Sequence, residues 1–280
     1  MTASLAPILY LPHGGGPLPL LGDSRHRDLT DFLKAFAPAL GRPDAILVIS
    51  AHWETEPATI TAAAEPRLIY DYFGFPPAAY EISYPAPGAP DVARRIVGLL
   101  GDAGMEVAAD AERGFDHGLF VPLKLLFPSA DVPCVQLSLL AGLDPTAHIR
   151  MGRALAPLRR ENVLILGSGF SFHNLRLLMR GGGGEDAGNE RFQDWLVETC
   201  AGAHLNAEER ERRLVHWTAA PAARYCHPRE EHLLPLHVCY GVAGAPGRLV
   251  FDGPVMGKRA CAFLWDRQET RSHSRAALER

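Results

Sequence analysis

"AILVISAHWE", residues 45–54, decides how the chain is read. It opens on a continuous apolar run rich in β-branched residues, Ile46, Val48 and Ile49. A run with no polar alternation suits a strand buried on both faces, as in a parallel sheet covered by helices. His52 follows almost as soon as the run ends. The arrangement recurs: "APILYLPHGGG" (6–16) puts His13 after an apolar run, and "NVLILGSGFSFHNL" (162–175) puts His173 after a run and a Gly-Ser-Gly turn. The runs "VPCVQLSL" (132–139) and "RLVFDG" (248–253) read as further strands.

Helical patterns fall between these runs, near 24–40, 89–101, 118–127, 145–160, 188–204 and 229–243. In the fifth, Phe192, Trp195, Leu196 and Cys200 mark one face at helical spacing. The alternation predicts a single α/β domain with a mostly parallel central sheet flanked by helices. That domain is expected over 1–265, with 266–280 a charged tail; "RGGGGE" (180–185) reads as a flexible loop and 70–88 as a long ordered one.

Composition narrows the function. With 280 residues, 47% hydrophobic and 21% charged, the chain has the apolar content for a sizeable core. A net charge of -4 supplies no basic stripe, so nucleic acid is not an expected partner. Five scattered cysteines without a C-x-x-C pair fit a reducing compartment. With neither a signal-peptide pattern nor a run of about 18 apolar residues, a soluble, cytoplasmic protein away from membranes is expected. Nucleophile and nucleotide motifs fail on inspection: "GSGFS" has Gly169 where a nucleophile elbow needs serine, and no phosphate loop or G-x-G-x-x-G occurs.

Histidine remains. Ligands of open α/β sheets bind outside the carboxyl ends of the strands, where His13, His52 and His173 would converge in a metal site. His117 lies in "RGFDHGLF" (113–120), and His232 lies beside Glu230 and Glu231 in "HPREEHLLPLH" (227–237), within a helix expected to open at Pro228. Taken singly, each histidine has a plainer reading. His13 could cap a helix near Pro17, His52 could pack beside Trp53, and His237 reads as a partly buried helical residue. No H-E-x-x-H pair is present, so the metal reading rests on repetition at one sheet edge.

The blocks "PHGGGP", "VISAHWE", "YDYFGFPPAAYEISYPAPG", "RGFDHGLFVPL", "PCVQLSL", "GSGFSFHNLR" and "EEHLLPL", in this order, resemble the class III extradiol ring-cleavage dioxygenases. The resemblance is to the DOPA 4,5-dioxygenase-like proteins, relatives of the catalytic subunit of protocatechuate 4,5-dioxygenase, and it reaches to about residue 265. It implies one divalent metal, Fe(II) or Zn(II), with His13 and His52 as ligands. His232 matches the third ligand of DOPA-type members, where the protocatechuate branch uses a glutamate, so Glu231 is the alternative. His173 matches an acid/base histidine close enough to the metal to count as a fourth ligand, and His117 a further catalytic histidine of the pocket.

The implied partners are a small-molecule catechol and O2, and the implied product is a ring-opened muconic semialdehyde. Tyr72, Phe73 and Phe75 of the aromatic loop are expected to wall the substrate, and Arg176 to meet a substrate carboxylate. A zinc-dependent hydrolase or a non-catalytic metal-binding member of the same fold are the competing readings, and self-association into a homo-oligomer is open.

Overall fold

The computed structural model describes residues 5–180 and 186–266. Within them one eight-stranded sheet forms the centre, in the order β4-β3-β5-β2-β6-β1-β8-β7. The strands are β1 (Ile8–Pro12), β2 (Ala45–Thr55), β3 (Ala58–Thr61), β4 (Val107–Asp110), β5 (Cys134–Leu140), β6 (Val163–Gly169), β7 (Arg248–Val255) and β8 (Lys258–Trp265). The helices are α1 (Arg27–Phe36), α2 (Pro90–Asp102), α3 (His117–Leu126), α4 (Pro145–Leu155), α5 (Leu175–Arg180), α6 (Ala187–Ala201), α7 (Ala207–Val215), α8 (Ala223–Cys226) and α9 (Leu234–Ala243).

The five apolar runs are all strands, and β5, β2, β6 and β1 pair in parallel as the sheet's middle. Their side chains are buried almost without exception, which is why these sequences are apolar throughout rather than alternating. Adjacent residues of β6 show the two covered faces. A Cβ on Gly167 would press on the Pro235 carbonyl of α9, whereas the next side chain, Ser168, bonds the Gly118 carbonyl of α3. Antiparallel pairing enters at the flanks, where β3 meets β5 and β8 runs between β1 and β7.

Three strands and three helices, α5, α7 and α8, escape the sequence reading. β3 and β4 are four residues each, too short to show a period, and β8 opens on Lys258 and Arg259. The charged helix α7, "AEERERRLV", buries only Arg210 and Leu214. The expected helix at 24–40 is shorter, because Pro38 turns its end into a 3-10 segment. The expected start of the last helix is corrected more sharply. A helix from Pro228 would carry Pro235 in its interior, where the ring removes a donor and clashes with the preceding turn. The helix instead begins at Leu234 with Pro235 in its first turn, and His232 sits in the bend before it. The 180–185 loop, apart from Arg180, and the tail beyond Asp266 lie outside the described residues.

Candidate metal centre

Five chain segments bring five histidines and two acids to the carboxyl end of the parallel strands, and the aromatic loop closes over them with a third acid, Asp71. His13 directly follows β1. Two residues with positive φ, Gly14 and Gly16, then fold the chain back, and the Gly15 amide donates to Nε2 of the buried His26 at 3.0 Å. His52 lies inside β2, past Ser50, where pairing with β6 stops and the β5 register shifts. That interruption frees its side chain from a regular ladder and turns it toward the site. His117 opens α3, with Asp116 as its N-cap accepting from the Gly118 amide at 3.0 Å.

His232 is held through its backbone. Its carbonyl accepts from the Phe170 amide at 3.0 Å and from the Tyr10 hydroxyl at 3.1 Å. Gly169 makes this approach feasible, since a Cβ there would lie 2.2 Å from the His232 oxygen. His173 is tied by its amide to the Cys226 carbonyl at 2.9 Å.

The ring nitrogens show what the cluster fits. Ser168 donates to the Gly118 carbonyl, so at 3.1 Å it accepts from Nδ1–H of His13, leaving Nε2 of His13 as a bare lone pair. That atom faces Nε2 of His52 at 2.9 Å. On the far side of the His52 ring, Nδ1 lies 3.9 Å from the Asp71 carboxylate, which favours the proton there. Nδ1 of His232 donates to Glu231 at 2.9 Å, and its Nε2 is buried with no partner. Three lone pairs pointing at one another in a dry interior repel unless a cation lies among them, and an orphaned buried nitrogen calls for the same partner. His13, His52 and His232 bring donor atoms within 4.8 Å of one another, the distance a shared ion needs.

Electrostatics agree. Burial, then the neighbouring imidazoles, push the pKa values of His13 and His232 well below 6.5. Burial and His117 do the same for His52, against the pull of Asp71. All three are therefore neutral near pH 7, the form that binds a metal.

The acids hold the outer nitrogens. Asp71 accepts from both the amide and Nδ1 of His117, at 3.0 and 2.8 Å. Burial pushes Asp71 up, but the bonds and charge of His117 outweigh it and leave the carboxyl below its ordinary value. Glu231 accepts from His173 at 3.1 Å through the same oxygen that His232 uses, and the two rings stack with centroids 3.2 Å apart. Of the two candidate third ligands, His232 shares a cluster of ligand atoms with His13 and His52, whereas Glu231 shares one with His173 and His232 and bonds the Nδ1 atoms of both. His52, Asp71 and His117 form a further cluster. Asp116 is fully buried beneath the site, bonded by Ser50, Gln136 and Arg113, and its burial raises its pKa. Neither Asp71 nor the orienting role of Glu231 was legible in sequence, because both depend on partners 46 and 58 residues away.

All five histidines line one cleft of about 680 Å³, with Tyr72, Phe73 and Phe75 along its wall. Tyr72 and Phe75 pack edge to face, and Tyr72 is fixed by its hydroxyl on the Ala79 carbonyl at 2.6 Å. Arg176 is not among the lining residues. It is exposed on α5 and lines a shallower groove beside the cleft, and the guanidinium that does line the cleft belongs to Arg25. His237, expected to be partly buried, is wholly buried in α9.

Among known proteins, residues 7–253 match the family described as the catalytic LigB subunit of aromatic ring-opening dioxygenase. The chain is similar to a dioxygenase, tasH, of Hapsidospora irregularis, at 45% identity covering 85% of this chain and 78% of that protein. It is also similar to the 4,5-DOPA dioxygenase extradiol of Beta vulgaris, at 38% identity over 91% and 95% of the two chains. A solved structure of an uncharacterized protein from Escherichia coli K12 superposes with a TM-score of 0.74 and 31% identity, covering 92% of this chain and 99% of that one. The chain belongs to the LigB family of aromatic ring-opening dioxygenases, as the sequence blocks implied. That family works with a metal, a small-molecule substrate and O2. No helix among the described residues is long and apolar enough to cross a membrane.

The packing under His232 gives a first test. Gly169→Ala should displace the His232 carbonyl and lower stability by about 1–3 kcal/mol, the usual cost of overpacking. The urea midpoint should fall while the slope stays constant.

Proposed function

We propose that this protein is an extradiol dioxygenase that opens a catechol ring beside its diol, giving a muconic semialdehyde. The observation that carries this reading is the trio of converging, neutral imidazole nitrogens of His13, His52 and His232 at the foot of an aromatic-walled cleft. Three neutral ligands on one side of a metal leave positions for two further reactants, which suits Fe(II) in oxygen chemistry. When bound, the metal supplies Lewis acidity toward the diol and the redox partner dioxygen requires. Both oxygen atoms of O2 enter the product, the ring carbon–carbon bond next to the diol breaks, and no outside reductant is consumed. The relatives named for DOPA support the diol class.

The chain's own residues supply the rest. His173 accepts and returns the diol proton through Nε2, since Glu231 holds Nδ1 protonated. His117, fixed by Asp71, lines the cleft opposite and orients the substrate oxygens. Tyr72, Phe73 and Phe75 keep water off the reacting ring. A hydrolase reading has less support, because the relatives are named as dioxygenases.

Iron-loaded His52→Ala should retain little metal by elemental analysis, and full occupancy would remove His52 from the site. Because burial lowers the three ligand pKa values, protons compete for the imidazoles only below 6.5. Metal should thus be kept from pH 7 to about 6.5 and lost in more acid buffer. Oxygen uptake should occur with a catechol and cease with the matching monophenol; equal uptake with both would sink ring cleavage. His173→Ala should keep most of its metal and lose about 10²–10⁴ in turnover, the range for a general acid/base. Metal-free His173→Ala protein would instead make that residue a fourth ligand.

A further inference from the structure

The rim of the cleft is unlike its floor. Phe73 is 92% exposed, Met179 78% and Leu175 60%, and all three line the same cleft. Exposed large hydrophobic side chains are costly to hydrate, and on a soluble surface their clustering marks a binding site. The exposed large hydrophobic residues otherwise comprise only Tyr80 and Tyr225 among the described residues, and neither lines this cleft. Phe73 comes from the aromatic loop, while Leu175 and Met179 sit one helical turn apart on α5. Two separate elements therefore present apolar side chains to whatever projects from the site. Leu18, Phe75 and Met256 extend the same apolar lining inward.

The charged groups of the cleft are already engaged. Among the described residues Arg25 is the only arginine or lysine in the lining, and its guanidinium donates through Nε and Nη2 to both oxygens of Asp23, at 3.2 and 2.9 Å. That carboxylate already balances the charge of Arg25, although the fork uses only two of its five N–H groups. Asp71 is the only carboxylate in the lining among the described residues, and it is committed to His117. A substrate carrying an amino-acid side chain would bring an ammonium to a lining whose one carboxylate among the described residues is committed to His117.

Resting on the dioxygenase reading, we infer that the substrate is a catechol bearing an uncharged apolar substituent, alkyl or aryl, seated between Phe73 and the Leu175–Met179 face of α5. Burying each added methylene on that rim strengthens binding by about fourfold.

The test compares catechol, 4-methylcatechol, 4-butylcatechol, 4-hexylcatechol and dihydroxyphenylalanine with the iron-loaded protein. Affinity is measured by anaerobic titration calorimetry and kcat/KM by oxygen uptake in air. Both should climb along the alkyl series by about two- to fourfold per methylene, with dihydroxyphenylalanine below 4-butylcatechol. Met179→Ser should cut the hexylcatechol-to-catechol ratio about tenfold, and Met179→Leu should restore it. A flat series, or one led by dihydroxyphenylalanine, overturns the inference while leaving ring cleavage standing. Sedimentation showing a dimer that Met179→Ser dissociates also overturns it, because the rim would then be covered by a second copy of the chain. Loss of oxygen uptake with every diol, alongside intact anaerobic binding, overturns the dioxygenase reading instead.

Discussion

Two imidazole nitrogens, Nε2 of His13 and Nε2 of His52, stand 2.9 Å apart in the interior with their protons directed elsewhere. Much else in the molecule serves to keep that contact. Ser168 at the end of β6 fixes the His13 ring, and the parallel registers of β1, β6 and β2 bring these positions level. Left alone, neutral nitrogens facing one another lose hydration and gain nothing, a cost of a few kcal/mol per buried polar group. A cation reverses the sign. The sheet thus acts as a frame in which a metal completes what the protein leaves unsatisfied.

The carboxylates show how the frame is oriented. Asp71, Asp116 and Glu231 each bond an outer nitrogen or a backbone amide of a histidine segment, and no carboxylate belongs to the group of three facing nitrogens. A carboxylate accepting Nδ1–H fixes the tautomer and makes Nε2 the more basic nitrogen. The effect is strongest at Glu231, where one oxygen serves both His173 and His232. His173 and His232 therefore share one anchor, and a shift of Glu231 would move both.

What could be read from sequence was what repeats. Apolar runs followed by histidine mark β1, β2 and β6 because buried parallel strands need continuous apolar residues and their carboxyl ends collect polar ones. The same logic could not find β3, β4 or α7, whose local sequences are short or charged and are held by contacts distant in the chain. It placed Arg176 at the substrate because that residue follows His173 closely, yet the helix begun at Leu175 carries the guanidinium outward. Arg25 carries no such mark, since only the packing of Met256 and the glycine turn brings it to the cleft.

Histidine number was not the signal either. His26, His148, His227 and His237 are as deeply buried as the site residues, yet each bonds the protein backbone. His26 accepts the Gly15 amide and steadies the turn beside His13, while His148 accepts the Leu140 amide at the end of β5. His26, His148 and His237 use both ring nitrogens within the fold, whereas His227 leaves Nδ1 without a partner among the described residues. The cluster differs in the partners it keeps, since its rings meet carboxylates, or Ser168 in the case of His13, on one side and one another on the other. Burial lowers histidine pKa values in both groups, so a shifted pKa alone would not separate them. Only geometry does: the spare nitrogen of His227 joins no cluster of ligand atoms among the described residues, whereas those of His13, His52 and His232 converge on one another.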